Sequence, residues 1–120
     1  MSQTKIGLLI SSDLFFTSKV TGTAQALGLR VEAVDNIASA AARLPVGDIA
    51  CVLFDLSIPR VSVTDLFAVM PASVRIPIIA FGSHVNVELL EAARSAGAEV
   101  MPRSQFASTL PEILRTHLGS

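Results

Sequence analysis

The stretch that most limits what this chain can fold into is Asp48 to Pro59, DIACVLFDLSIP. Ile49 to Phe54 is a six-residue apolar run, rich in branched side chains and too short for a typical helix. Such a run predicts a strand buried on both faces, the usual state of a central strand in a parallel sheet. It ends in Asp55, a carboxylate placed where the chain must leave the sheet. In open α/β sheets, ligands bind in the crevice beyond the carboxyl ends of the strands. Asp55 is thus the first candidate functional residue, and the plain alternative is an aspartate that merely terminates its strand.

The remaining segments fall around that strand in a regular alternation. Lys5 to Ile10 predicts a first strand, followed by the helix N-cap residues Ser11, Ser12 and Asp13. From Leu14 to Leu27 the positions Phe16, Val20, Ala24 and Leu27 recur at helical spacing, with Phe15 turned partly outward. Gly28 stops this helix, and Arg30 to Val34 predicts a more peripheral strand. Ile37 to Leu44 predicts a short helix capped by Asn36 and ended before Pro45. After Asp55, Leu56 to Ser62 is a loop, and Val63 to Met70 a short helix stopped by Pro71.

Ile76 to Phe81 predicts another fully apolar strand. Val85 to Ala96 predicts a helix with Gly97 just beyond its end. Glu99 to Met101 is a short strand, and Pro102 restricts it to a sheet edge. Thr109-Leu110-Pro111-Glu112 has the capping-box pattern for a last helix, whose start is open back to Ser104 and which runs to about His117. Strand and helix alternate five times with short connections. This predicts one α/β domain over 1–120, a flavodoxin-like three-layer sandwich. Its five-stranded parallel sheet runs in the order 2-1-3-4-5, with five helices.

Composition narrows the function classes. Half of the 120 residues are apolar, yet no run approaches the ~20 residues of a membrane span, so the apolar content goes into the covered sheet. The short apolar run near the N-terminus fits a first strand better than a secretory segment. The single cysteine, Cys51, lies inside the central run and reads as core rather than as half of a disulfide. A formal charge of −1 and scattered arginines argue against nucleic acid as the partner. The expectation is a cytoplasmic protein with no nucleic-acid or membrane partner.

Three stretches carry a resemblance to a family. Asp55-Leu56-Ser57-Ile58-Pro59 resembles the phosphoacceptor turn of response-regulator receiver domains from two-component systems. Ile76-Pro77-Ile78-Ile79 resembles the start of their fourth strand, and Ala92 to Ala98 (AARSAGA) the end of their fourth helix. The resemblance spans essentially the whole chain and implies the same fold. It also implies a site in which two acidic residues after the first strand join the acceptor Asp in holding Mg²⁺. The matching positions here are Ser11 and Ser12, and Asp13, one residue on, reads as a helix cap. The family's switch hydroxyl falls on Gly82, with Ser83 adjacent. Matching Phe106 to the family's Lys-Pro-Phe turn places Ser104 at the lysine. Arg103 is its neighbour, and alternation along a strand directs it elsewhere.

Phosphoryl transfer depends on positioning and on charge stabilisation by metal and cations. The resemblance therefore implies a pseudo-receiver: Asp55 is kept while the acidic pair, the hydroxyl and the lysine are missing. Mg²⁺ is not expected to bind tightly, and no other cofactor is expected. No phosphate loop, metal cluster or nucleophile elbow appears, so the chain is not expected to be an enzyme. His84, beyond the fourth strand, reads as a surface histidine. The favoured function is a signalling module acting through protein–protein contact. Two alternatives stand beside it: an atypical receiver phosphorylated on Asp55 in a phosphorelay, and a small-ligand sensor using the crevice beside Asp55.

Two further expectations follow from the residues. A buried Asp55 needs a donor or a cation in place of the metal, and the candidates are Ser11, Ser12, Ser104 or Arg60, with serines favoured. The fourth helix carries one apolar stripe, Leu90, Ala93 and Gly97, for the sheet. A second, Val85, Leu89, Ala92 and Ala96, is turned about 100° away. A protein partner or a homodimer is expected on the face made by the fourth helix, fifth strand and fifth helix.

Overall fold

The apolar runs become strands in the computed structural model, which describes residues 5–70 and 76–119. These are β1 (Ile6–Ile10), β2 (Arg30–Val34), β3 (Ile49–Asp55), β4 (Ile78–Gly82) and β5 (Glu99–Pro102). All pair in parallel, in the order β2-β1-β3-β4-β5. The helices between them are α1 (Leu14–Ala26), α2 (Ile37–Arg43), α3 (Val63–Val69), α4 (Val87–Ser95) and α5 (Arg103–Leu118).

Side-chain alternation in the three central strands divides the core into two layers. Leu8 and Ile10, Val52 and Phe54, and Ile78 and Ala80 pack with Ala40, Leu66, Leu90 and Ala93 of α2, α3 and α4. Leu9, Cys51, Leu53, Ile79 and Phe81 pack with Val20 and Ala24 of α1 and with Phe106, Leu110, Leu114 and Leu118 of α5. Asp55 has the parity of Cys51 and Leu53, so it faces the layer of α1 and α5. That parity decides which residues reach it.

Local chemistry sets most boundaries. Asp13 caps α1, its carboxylate accepting from the Phe16 amide at 3.0 Å. Asn36 caps α2, which gives way to a 3-10 turn at Leu44–Val46 holding Pro45. Ser62 and Asp65 form a reciprocal capping box at α3, and Pro71, expected to stop that helix, lies outside the described residues. Asn86 caps α4, so the helix starts at Val87 rather than Val85. Gly97 follows α4 with φ 111°, a left-handed conformation that a side chain would strain.

Three expectations need correction. The fourth strand begins at Ile78, not Ile76; Pro77 has no N–H to donate, but its carbonyl accepts from Val52 at 2.9 Å. The last helix begins at Arg103, and Thr109 to Glu112 is its interior, with Pro111 inside it. Phe106, Leu110, Leu114 and Leu118, each one turn further on, form a fully buried stripe, and that packing outweighs the missing amide of Pro111. Phe15, expected to be partly outward, is 92% exposed.

Candidate functional site

Asp55 has no exposed surface, and its carboxylate is enclosed by donors from three directions. From the end of β1, the Ser11 hydroxyl donates to Oδ2 at 2.7 Å. From the following loop, the Ser57 amide and hydroxyl donate to Oδ1 at 2.9 and 2.6 Å. From the first residue of α5, Nη2 of Arg103 donates to the same Oδ1 at 2.7 Å and to the Ser57 hydroxyl at 3.1 Å. Ser11 is itself held in place, accepting from the Asp13 amide at 3.2 Å.

The Arg103 guanidinium lies against two aromatic rings, 5.0 Å from the centroid of Phe16 and 5.3 Å from that of Phe81. Phe81 stacks on Phe106 at 4.2 Å, and Phe16 leans on both. Planar guanidinium on planar rings is a favourable cation–π arrangement. Nη1 of the same guanidinium is buried without a hydrogen-bond partner among the described residues.

The electrostatics follow from this enclosure. Burial alone pushes the Asp55 carboxyl up, because the charged form loses water. The Ser57 hydroxyl and amide, the Ser11 hydroxyl and the charge of Arg103 all favour the carboxylate and together outweigh burial. The net result is a carboxyl below its ordinary value. Asp55 is therefore ionised at neutral pH, with both oxygens engaged.

Of the candidates to neutralise Asp55, Ser11 is in contact, while Ser12, Ser104 and Arg60 are exposed and do not bond it. Arg60 adopts a left-handed backbone, φ 64°, in the loop beyond the site. The alternation rule pointed Arg103 elsewhere and is corrected here. It applies within a strand, and β5 ends at Pro102, so residue 103 leaves with helical geometry. Ser57 was not among the expected donors. An Asp bonding the amide two residues on is an ordinary Asx turn, and the Asp-x-Ser spacing was its signal.

The other expected positions lie apart from Asp55. Asp13 is occupied as the α1 cap, and Ser83 and His84 are exposed in the loop after β4, where the Ser83 hydroxyl accepts from Val85 at 3.4 Å. A Cβ on Gly82 would lie 3.2 Å from Leu56 Cβ, so a larger residue there requires a shift. Along α4, Leu90 and Ala93 are buried as expected. In the second stripe Val85 is 74% exposed and Ala92 exposed, whereas Leu89 and Ala96 are half-buried against the core. Val87 adds a further exposed side chain. Among the described residues no group of three or more His, Cys, Asp or Glu is placed to hold a metal ion. Nor is any described helix long and apolar enough to cross a membrane.

This five-stranded parallel sheet, in the order β2-β1-β3-β4-β5 with an acid at the end of β3, is a fold that solved response-regulator receiver domains share. A response regulator from Bermanella marisrubri matches with TM-score 0.79 at 18% identity, over 96% of this chain and 98% of that one. The receiver domain of a sensor histidine kinase from Pseudomonas aeruginosa, with a magnesium ion coordinated in its active-site cleft, matches with TM-score 0.78 at 20% identity. That match covers 98% of this chain and 99% of the other. A phosphorylated cyanobacterial phytochrome response regulator matches with TM-score 0.78 at 16% identity, over 96% and 94% of the two chains. No protein-family model matches the chain, and no curated protein matches its sequence. The likeness is one of fold.

Proposed function

We propose that this chain is a receiver-fold signalling module that acts by protein–protein contact, its central carboxylate closed by an internal ion pair rather than by a metal. The observation that carries this is the 2.7 Å pair between Arg103 and the fully buried Asp55. The residues around Asp55 do not suit a divalent cation. Mg²⁺ is held by carboxylates, phosphate oxygens and waters, and the positions matched to acidic ligands hold Ser11 and Ser12. Ser11 turns its proton toward Asp55, where a metal would require a lone pair. A dication on Asp55 would also displace a donor from the oxygen that it bound.

The same enclosure opposes phosphorylation. A carboxylate with no exposed surface and four donors on its two oxygens is a poor nucleophile toward a phosphoryl donor. The module therefore works as a binding partner rather than a catalyst, in one fixed state. Its partner, another protein or a second copy, is assigned to the face of α4, β5 and α5. Val85 and Val87 are exposed there, and Pro102 blunts the sheet edge, so contact is side chain on side chain.

The test is an NMR titration with millimolar Mg²⁺ and then with beryllofluoride, an acyl-phosphate mimic. The expected result is no saturable shift in the amides of Ser11, Asp55, Ser57 or Arg103. Saturable shifts there would instead establish a phosphorylatable receiver.

A further inference from the structure

A cleft of about 520 Å³ opens between α1, the loop after β4 and the start of α5. Phe16, Lys19, Ser83, His84, Arg103 and Ser104 line it. The volume lies in the range of small-molecule sites. Three of these side chains are cationic or become so on protonation, two more carry hydroxyls, and no lining residue carries a carboxylate. Such a set suits an anion.

Two features of Arg103 and its helix sharpen the assignment. Arg103 is already engaged, its Nη2 donating to Asp55 at 2.7 Å and its Nη1 having no exposed surface, so Lys19 and His84 are the cations open to a ligand. The first turn of α5 carries no acidic residue, and its N-cap, Pro102, offers no side-chain acceptor. Within the helix nothing offsets its positive end, and Asp55 meets that end through Arg103. Phe16, half-buried, supplies an apolar wall.

We propose that this cleft binds a small aromatic carboxylate. Its oxyanion is held by Lys19 and His84, and its ring lies against Phe16. Ordinary inorganic oxyanions offer the charge without the ring and bind more weakly. The inference is independent of the fate of Asp55, since it rests on Lys19 and His84.

The experiment is an amide-resolved NMR titration of the full chain with benzoate, benzamide and inorganic phosphate. Benzoate should produce saturable shifts at Lys19, His84 and Ser104 with a Kd of about 1 mM, the scale set by ligand efficiency for so small a molecule. Benzamide and phosphate should bind several-fold more weakly. Lys19→Gln with His84→Gln, both at exposed positions, should weaken benzoate about fivefold while leaving the rest of the spectrum in place. Equal binding of benzamide would reduce the cleft to an apolar crevice, and equal binding of phosphate would remove the aromatic part. Absence of shifts, or benzoate binding untouched by the double substitution, would overturn the proposal entirely.

Discussion

Arg103→Met removes the cation beside Asp55 while keeping an apolar stem to lie against Phe16 and Phe81. Asp55 then keeps three hydrogen bonds from Ser11 and Ser57 but has no counter-charge. Exposed ion pairs contribute about 0–1 kcal/mol, whereas stranding one member of a fully buried pair costs about 3–5 kcal/mol. Here the Arg103 side chain is 30% exposed and that of Asp55 0%, so the pair falls between those limits. Water screens the cation, and the serine donors still satisfy the carboxylate. The expected loss is about 2 kcal/mol at pH 7.

The pH dependence has a definite sign. The folded Asp55 carboxyl lies below its ordinary value, so its stabilising contribution is fully present above the unfolded value of about 4. That contribution is lost as pH falls through the lower folded value. Without Arg103, one of the downward influences is gone and burial weighs more, so the variant should begin to lose stability at higher pH. The gap between parent and variant should then close in acid, where Asp55 is protonated in both.

The chain has no Trp or Tyr, so urea unfolding followed by far-UV circular dichroism is the suitable assay. Asp55→Asn supplies the internal control. In that background Arg103→Met should cost under about 1 kcal/mol, because no carboxylate is left to strand. An Arg103→Met variant within about 0.5 kcal/mol of the parent at pH 7 would refute the reasoning. So would an equal cost in both backgrounds.

Other perturbations test separate parts of the molecule. Val87→Glu, at a side chain 61% exposed, should leave stability within about 0.5 kcal/mol yet abolish self-association or partner capture; unchanged light-scattering mass and unchanged partners would move the interface elsewhere. Pro111→Ala restores an amide inside α5 and should stabilise by about 1–2 kcal/mol, less what is lost by loosening the unfolded chain; a lower melting temperature would mean that the proline shapes the helix packing. Burial pushes the Cys51 thiol up to about 12, so a thiol reagent at pH 8 should react only as fast as the protein unfolds in urea. Immediate reaction in the native protein would contradict its placement in the core.

Local pattern was enough to read the central architecture from the residues. Ile6–Ile10, Ile49–Asp55 and Ile78–Gly82 are short apolar runs, and such runs have few uses except as strands covered on both faces. Short connections between alternating strands and helices then leave few sheet orders open. Capping side chains such as Asp13 and Asn36 act within a turn of their own position, which is why the starts of α1 and α2 were legible. The start of α5 was legible only as a range reaching back to Ser104, one residue from the observed Arg103, because a capping-box pattern at Thr109 to Glu112 competes with a buried stripe that only packing against β1, β3 and β4 rewards.

The partners of Asp55 divide along the same line. Ser57 is two residues away and was legible in principle, while Arg103 is 48 residues away and was not. Its contact with Asp55 depends on three things at once: the parity that turns Asp55 toward α1 and α5, the end of β5 at Pro102, and the rings of Phe16 and Phe81 that hold the guanidinium. The sequence by itself determined that a buried carboxylate would stand at the end of the central strand without its usual acidic neighbours. Which cation would meet it was decided by tertiary structure alone, because long side chains from separate elements find one another only after the sheet has set their directions.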